Sequence, residues 1–327
     1  MKKGFLKILN NYNDLSSLPY KPSKYDLSKY VVEVFPKSIT DQVGLDGEYE
    51  AQGSVGKGKW TQTPWIIISK KEITTTARKG FYIVYLFRQD MSGFYLSLNQ
   101  GTSYLKQKYN KKNPRLKMKD AADKLRGMLD YSLNEFPETH IDLRSSTDNA
   151  KNYMAAHICG KFYSVDKVPS DKQLLSDLNS LIGIYEQLIL IMGIRNTDQM
   201  LDYLLTLDEI EDIQFQSNTL LAIPNRTPAH PQSIPSQLNN TKQRKWKRNP
   251  TIAKEALLYA NYKCEIDPKH QTFISEITGK NFVEAHHLIP MNLQGEFQWS
   301  LDVPGNIVSL CPNCHRKIHY ATKSEKW

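Results

Sequence analysis

The chain has 327 residues, 40% apolar and 10% aromatic, with a formal net charge of +9 and a pI near 9.1. That length favours two domains over one, and the basic balance suits an acidic polymer or an acidic membrane surface without choosing between them. The four cysteines exclude a disulfide framework, since Cys159 stands alone and the other three cluster with histidines. No apolar run reaches the ~18 residues of a membrane span, because Tyr185, Glu186 and Gln187 break the stretch Leu181 to Ile194. No apolar segment follows the basic N-terminus, and the expectation is a soluble cytoplasmic protein.

The first residues read as a short amphipathic helix ending near Asn13, followed by a Pro-containing turn. Between positions 50 and 100 the pattern is β. Pro64–Ile68, Phe81–Phe87 and Phe94–Leu98 are β-branched and aromatic runs of strand length, punctuated by Gly80 and Gly93. Apolar spacing of three and four predicts helices over Asp120 to Phe136 and Asp171 to Met192, and a third from Thr197, read as its N-cap, to Glu211. The first domain is therefore α+β, residues 1–213, a meander followed by helices. Residues 214–248 read as an extended linker containing Pro224, Pro228, Pro231 and Pro235. It ends in a basic run holding Lys242, Arg244, Lys245, Lys247 and Arg248, which reads as a phosphate-docking arm. Asn249 and Pro250 then start a helix that runs to about Ala260, opening a C-terminal domain over 249–327.

That last domain carries His286-His287, then Asn306, then His315 and His319. On a helix, side chains four residues apart share one face, so His315 and His319 form two-thirds of a three-nitrogen metal site that His286, on a strand packed over them, completes. His287 alternates to the other side of that strand, which leaves it unligated and available as a general base for an attacking water. The order and spacing of Glu284-Ala-His286-His287-Leu-Ile-Pro290 and Asn306-Ile-Val-Ser-Leu-Cys311-Pro-Asn-Cys314-His315-Arg-Lys-Ile-His319 resemble the HNH, or ββα-metal, nuclease family over roughly the last 75 residues. The resemblance implies a small ββα-metal fold, a divalent ion (Mg, Mn, Co or Ni) on His286, His315 and His319, and products with 5′-phosphate and 3′-hydroxyl ends. It also implies that Asn306 ties the loop between the two strands and orients the base. Cys311-x2-Cys314 reads as a zinc knuckle, paired with Cys264 and with His270 as fourth ligand, Asp267 being the alternative.

A second resemblance covers about residues 1 to 195. Ser54-Val-Gly56-Lys57-Gly58-Lys59-Trp60, then Pro64-Trp65, then Gly80-Phe-Tyr82 before the apolar strand through Leu86, is similar to the N-terminal DNA-binding domain of McrB, a modified-cytosine reader. The resemblance implies base flipping into a pocket walled by Trp65, Tyr82 and Leu86. The chain departs from that family at Lys57, where the reader has an aromatic residue. Lys57 and Lys59 add charge for DNA, and Trp60 is a candidate wedge. The chain has no Walker-type Gly-x4-Gly-Lys loop, so no nucleotide triphosphate is expected. Taken together, the expectation is a modification-dependent restriction endonuclease acting on double-stranded DNA with 5-methyl- or 5-hydroxymethylcytosine, the alternative being one specific for an unmodified sequence. One HNH site nicks one strand, so a double-strand break implies a homodimer or two successive visits.

Overall fold

The computed structural model describes residues 1–44, 47–109, 114–228, 230–236 and 246–321. The chain divides into two compact units, Met1–Leu205 and Thr206–Trp327.

The first unit begins with α1 (Lys2–Ser17), one turn longer than the sequence predicts, because Leu15 joins Phe5, Ile8, Leu9 and Tyr12 on its buried face. A short helix α2 (Asp26–Lys29), a π-turn and α3 (Phe35–Val43) follow. The π-turn lies so close to the sheet that a Cβ on Gly53 would fall 1.9 Å from the Val31 carbonyl oxygen. Five strands, β1 (Tyr49–Ser54), β2 (Trp65–Lys70), β3 (Phe81–Phe87), β4 (Gly93–Gln100) and β5 (His157–Ser164), form one antiparallel sheet in sequence order. β1 and β5 are not predicted by pattern. Gly53, Glu50 and Gln52 weaken the β signal of the first, and β5 follows directly on a helix.

Every residue of β3 and β4 is buried, so both sheet faces are covered. On one face Phe5 of α1 stacks on Phe94 at 4.2 Å and meets Tyr85 at 4.7 Å. The helices α4 (Ser103–Lys108), α5 (Pro114–Met128), α6 (Asp148–Ala156) and α7 (Asp171–Met192) complete the unit. The helix expected over Asp120 to Phe136 is thus shifted. It starts at Pro114, where proline suits a first turn, and stops at Met128, after which Asp130–Phe136 is irregular. By length and composition α7 would cross a membrane, yet its Leu174, Leu178, Leu181, Tyr185 and Leu188 face is buried, and Tyr185 donates its hydroxyl to the Phe81 carbonyl at 2.6 Å.

Helix α8 (Thr197–Leu221) is capped by Asn196 rather than by Thr197: Asn196 Oδ1 accepts the Gln199 N–H while Gln199 Oε1 accepts the Asn196 N–H, each at 2.9 Å. It runs ten residues past the expected end at Glu211, because Phe215, Gln216 and Thr219 are buried in the second unit. Beyond it the described residues 222–236 form no helix or strand, but they are fastened at points: Thr227 donates its N–H to the Glu255 carboxylate, and Gln232 O accepts the Ser300 N–H at 3.0 Å. Helix α9 (Pro250–Tyr259), capped by the Asn249 side chain, packs Ala253, Ala256 and Leu257 with Phe215, Tyr262, Val283, Ala285 and Ile307. The antiparallel hairpin β6 (Glu284–His287) and β7 (Ile307–Leu310) and the helix α10 (Pro312–Tyr320) complete the unit.

Candidate active site

Strand β6 presents its side chains alternately. His286 faces α10, and its ring centroid lies 5.0 Å from those of both His315 and His319, which are 4.9 Å from each other. Their nitrogens form a group in which each atom lies within 4.8 Å of the others. Burial, then the neighbouring His315 and His319 rings, lower His286 to about 4, which favours its neutral form, the form in which imidazole ligates. Glu284 Oε2 lies 2.7 Å from His315 Nδ1, and a carboxylate only accepts. His315 therefore donates from Nδ1 and turns Nε2 inward, 3.2 Å from His319 Nε2. A divalent cation fits this set of three converging imidazole nitrogens.

The strand that carries His286 is itself held from α8. Gln216 accepts the Ala285 N–H at 2.9 Å and donates to the Ala285 carbonyl at 2.8 Å, substituting for a neighbouring strand between Glu284 and His286. His287 points the other way, is buried against the Phe215 ring, and meets Asp302. Asn306 ties the intervening loop: Oδ1 accepts the Ile289 N–H at 2.8 Å, while Nδ2 donates to the Ile289 and Leu301 carbonyls at 3.0 and 2.9 Å.

A second cluster lies at the start of α10. Cys264, Cys311 and Cys314 are buried, and His270 Nδ1 lies 3.4 Å from Cys314 Sγ and 3.7 Å from Cys311 Sγ. Asp267 sits behind the same ring, 3.5 Å from Nε2, and so backs the imidazole instead of replacing it. Burial would raise the Cys264 thiol, but N–H groups of Cys311, Asp267 and Ile266 and the His270 ring bring it down to about 6; burial and the adjacent thiols push Cys314 up to about 12. Three thiols cannot ionise side by side unless a cation joins them, and three sulfurs with one imidazole suit zinc.

In the first unit, Trp65, Tyr82 and Leu86 lie on one face of the sheet, in a cluster with Ile67, Tyr95, Ile141 and Leu143. Trp65 is half-buried. Tyr82 and Leu86 have no exposed surface, and the Tyr82 hydroxyl donates to the Ala77 carbonyl at 3.0 Å. A base reaching them would displace part of this cluster. The loop from Val55 to Thr61 is anchored from behind: Tyr20 donates to the Gly56 carbonyl at 2.7 Å, Tyr12 to that of Thr61 at 2.9 Å, and Trp60 Nε1 to that of Leu18 at 2.7 Å. Trp60 packs edge-on to Tyr20, which leaves the tip to Lys57, Gly58 and Lys59, all exposed. Gly56, at φ +112°, makes that turn; a Cβ there would meet the Lys59 carbonyl oxygen at 2.1 Å. Lys247 is exposed. Arg248 is turned inward, pairing with Asp212 at 3.1 Å and lying 4.1 Å over the Phe215 ring, while Arg244 and Lys245 lie outside the described residues.

Glu284, Asp302, Phe215 and Gln216 are the contributors that sequence reasoning missed. Glu284 stood inside the recognised motif, two residues before His286, whereas Gln216 reaches Ala285 across 69 residues and leaves no local signal.

A short hairpin and helix that gather three imidazoles define a metal-site unit of the ββα kind. The chain belongs to the MrcB-like family: residues 7–190, over half of its length, match the MrcB-like, N-terminal domain. Residues 270–321 match the HNH endonuclease domain. The chain is similar to the type IV methyl-directed restriction enzyme EcoKMcrA of Escherichia coli (strain K12), with 32% identity over 84 residues, 26% of this chain and 28% of that enzyme. The match thus spans little more than a quarter of the relative's length. No solved structure matches the chain.

Proposed function

We propose that this protein is a modification-dependent DNA endonuclease of the restriction type, acting in the cytoplasm on double-stranded DNA that carries 5-methyl- or 5-hydroxymethylcytosine. The observation that carries the reading is the triangle of His286, His315 and His319, whose nitrogens lie within 4.8 Å of one another, on a chain whose other half belongs to the MrcB-like family. The similarity to a methyl-directed restriction enzyme supports the choice of substrate. In this reading Met1–Leu205 serves as reader and Thr206–Trp327 as nuclease, and the segment 214–248, expected as a linker, instead places Phe215 and Gln216 inside the second unit.

His286, His315 and His319 would hold a divalent ion (Mg, Mn, Co or Ni), which supplies positive charge to the scissile phosphate when bound. Glu284 keeps Nε2 of His315 free for that ion. His287 takes a proton from the attacking water, and Asn306 fixes the loop that faces it. Cys264, His270, Cys311 and Cys314 hold zinc in a structural role. On the reader side, Trp65, Tyr82 and Leu86 line the site for the modified base, the exposed Lys57 and Lys59 meet the backbone beside it, and Trp60 shapes their loop. Lys247 adds charge near the nuclease. No nucleotide triphosphate takes part, and a double-strand break is made by two protomers or by two successive visits.

The test is a digestion panel of unmodified, methylated and hydroxymethylated copies of one plasmid with magnesium, manganese, cobalt and nickel. Cleavage confined to the modified copies is expected. Equal cleavage of all copies overturns modification dependence and favours a reader of unmodified sequence, to which Lys57 in place of an aromatic residue also points. No cleavage under any condition overturns the nuclease reading.

A further inference from the structure

One carboxylate between β6 and β7 belongs to neither the imidazole triangle nor the thiol cluster. Asp302 is only 3% exposed. Its Oδ2 accepts the Asn249 N–H at 2.6 Å, where α9 begins, and its Oδ1 lies 2.9 Å from His287 Nε2. Both oxygens therefore face nitrogen. Burying a carboxylate in this way is tolerated when each oxygen accepts a hydrogen bond. An ionised carboxylate has no proton to give, so the ring nitrogen facing it must donate. A ring with a single N–H then carries it on Nε2, which leaves the lone pair on Nδ1. The Phe215 ring lies beside the imidazole, 6.3 Å away between centroids.

We propose that Asp302 is a positioning residue for the hydrolytic step, holding His287 in the tautomer whose Nδ1 accepts the water proton. The proposal rests on the nuclease reading above. In the step, a water O–H bond breaks and its proton goes to Nδ1. The oxygen forms a bond to phosphorus as the bond to the 3′ oxygen breaks, and that oxygen takes a proton from solvent. The negative charge on Asp302 faces the imidazolium that forms, which a main-chain carbonyl in the same place would do more weakly.

Asp302→Asn separates positioning from packing, because it keeps the shape of the side chain. Its oxygen still accepts the Asn249 N–H, and its amide group then faces His287 and can only donate. The imidazole must answer with a bare Nε2 and move its proton to Nδ1, the wrong nitrogen for the reaction. The experiment uses the full chain, labelled with 15N in its histidines. Nitrogen chemical shifts report the His287 tautomer, assigned by its loss in His287→Gln, while cobalt binding and steady-state cleavage are followed in parallel. In the unsubstituted protein, protonated Nε2 and bare Nδ1 are expected. In Asp302→Asn the two exchange, and kcat falls by about 10²- to 10⁴-fold while KM and cobalt affinity stay unchanged.

A proton on Nδ1 in the unsubstituted protein overturns the proposal, as does an Asp302→Asn enzyme with undiminished kcat. Should that variant fail to fold, the tautomer in the unsubstituted protein decides alone. If the unsubstituted protein cleaves no DNA, the nuclease reading fails, a result distinct from any change between the two proteins.

Discussion

The two units of the chain place their candidate site residues by opposite means. In Thr206–Trp327 the chemistry rides on strands of four residues and a helix of nine, elements too short to hold themselves. Their geometry comes from polar ties: Gln216 on Ala285, Glu284 on His315, Asn306 on Ile289 and Leu301, and the thiol cluster at the root of α10. In Met1–Leu205 a five-stranded sheet covered on both faces supplies rigidity by packing, and Tyr82 and Leu86 are part of that packing. A reaction needs particular atoms at particular points, and polar ties deliver them. Recognition of a flat base needs shaped apolar walls, which a packed sheet face resembles.

The sharpest break between the units is metal removal. If the thiol cluster holds zinc, metal binding supplies on the order of 10 kcal/mol to a unit with a small core. Stripping zinc from the full chain with a strong chelator is expected to make Thr206–Trp327 protease-sensitive while Met1–Leu205 keeps its melting transition. Cys311→Ser should reproduce that pattern without chelator. A second unit that stays resistant once metal analysis finds no zinc would remove the cluster from its structural role.

Acid should act on both units, through His286 in the second and through a more deeply buried imidazole in the first. His157 is 2% exposed, with Nδ1 2.7 Å from Ser97 Oγ and Nε2 2.9 Å from the Glu138 carbonyl oxygen. Burial lowers it from 6.5 to about 3, against the hydrogen bond to Glu138, which raises it. Between those two values the unfolded chain binds a proton that the folded chain refuses. The contribution of neutral His157 is therefore complete above about pH 6.5 and is lost as the pH falls, by about 1.4 kcal/mol per pH unit. Scanning calorimetry of the full chain between pH 7 and pH 4 should show the Met1–Leu205 transition falling, and falling less steeply in His157→Gln. Equal slopes would mean that His157 is not the group that titrates.

The same contrast governs what the sequence makes legible. His286, His287, Asn306, His315 and His319 can be read because a metal site demands rare residue types at fixed spacing, and β6 and α10 follow from that spacing. Helix α7 is legible for the simpler reason that its apolar period is unbroken. Strand β5 and the last ten residues of α8 are not, because both are decided by partners distant in sequence: β4 for one, and the Ala285 peptide for the other. Asp302 escapes for the same reason, since nothing local marks it as the partner of His287. The aromatic face of the first unit is hardest. Trp65, Tyr82 and Leu86 have the composition of any strand core, and only their likeness to a family assigns them a task.

The smallest expected effect sharpens the Met1–Leu205 half of the comparison. Lys57 and Lys59 are exposed on a loop whose other side is fastened by Tyr12, Tyr20 and Trp60. Replacing both by Ala should leave the melting transition unchanged, because neither side chain packs against the fold. If they neutralise phosphates, the dependence of log affinity on log salt should flatten by about two, one for each charge, with equal weakening on modified and unmodified DNA. A slope that stays the same while discrimination between the two DNAs falls would place Lys57 against the base edge, the position left by the missing aromatic residue. No change in slope or discrimination would take the loop out of the DNA interface and leave reading to the Trp65 face alone.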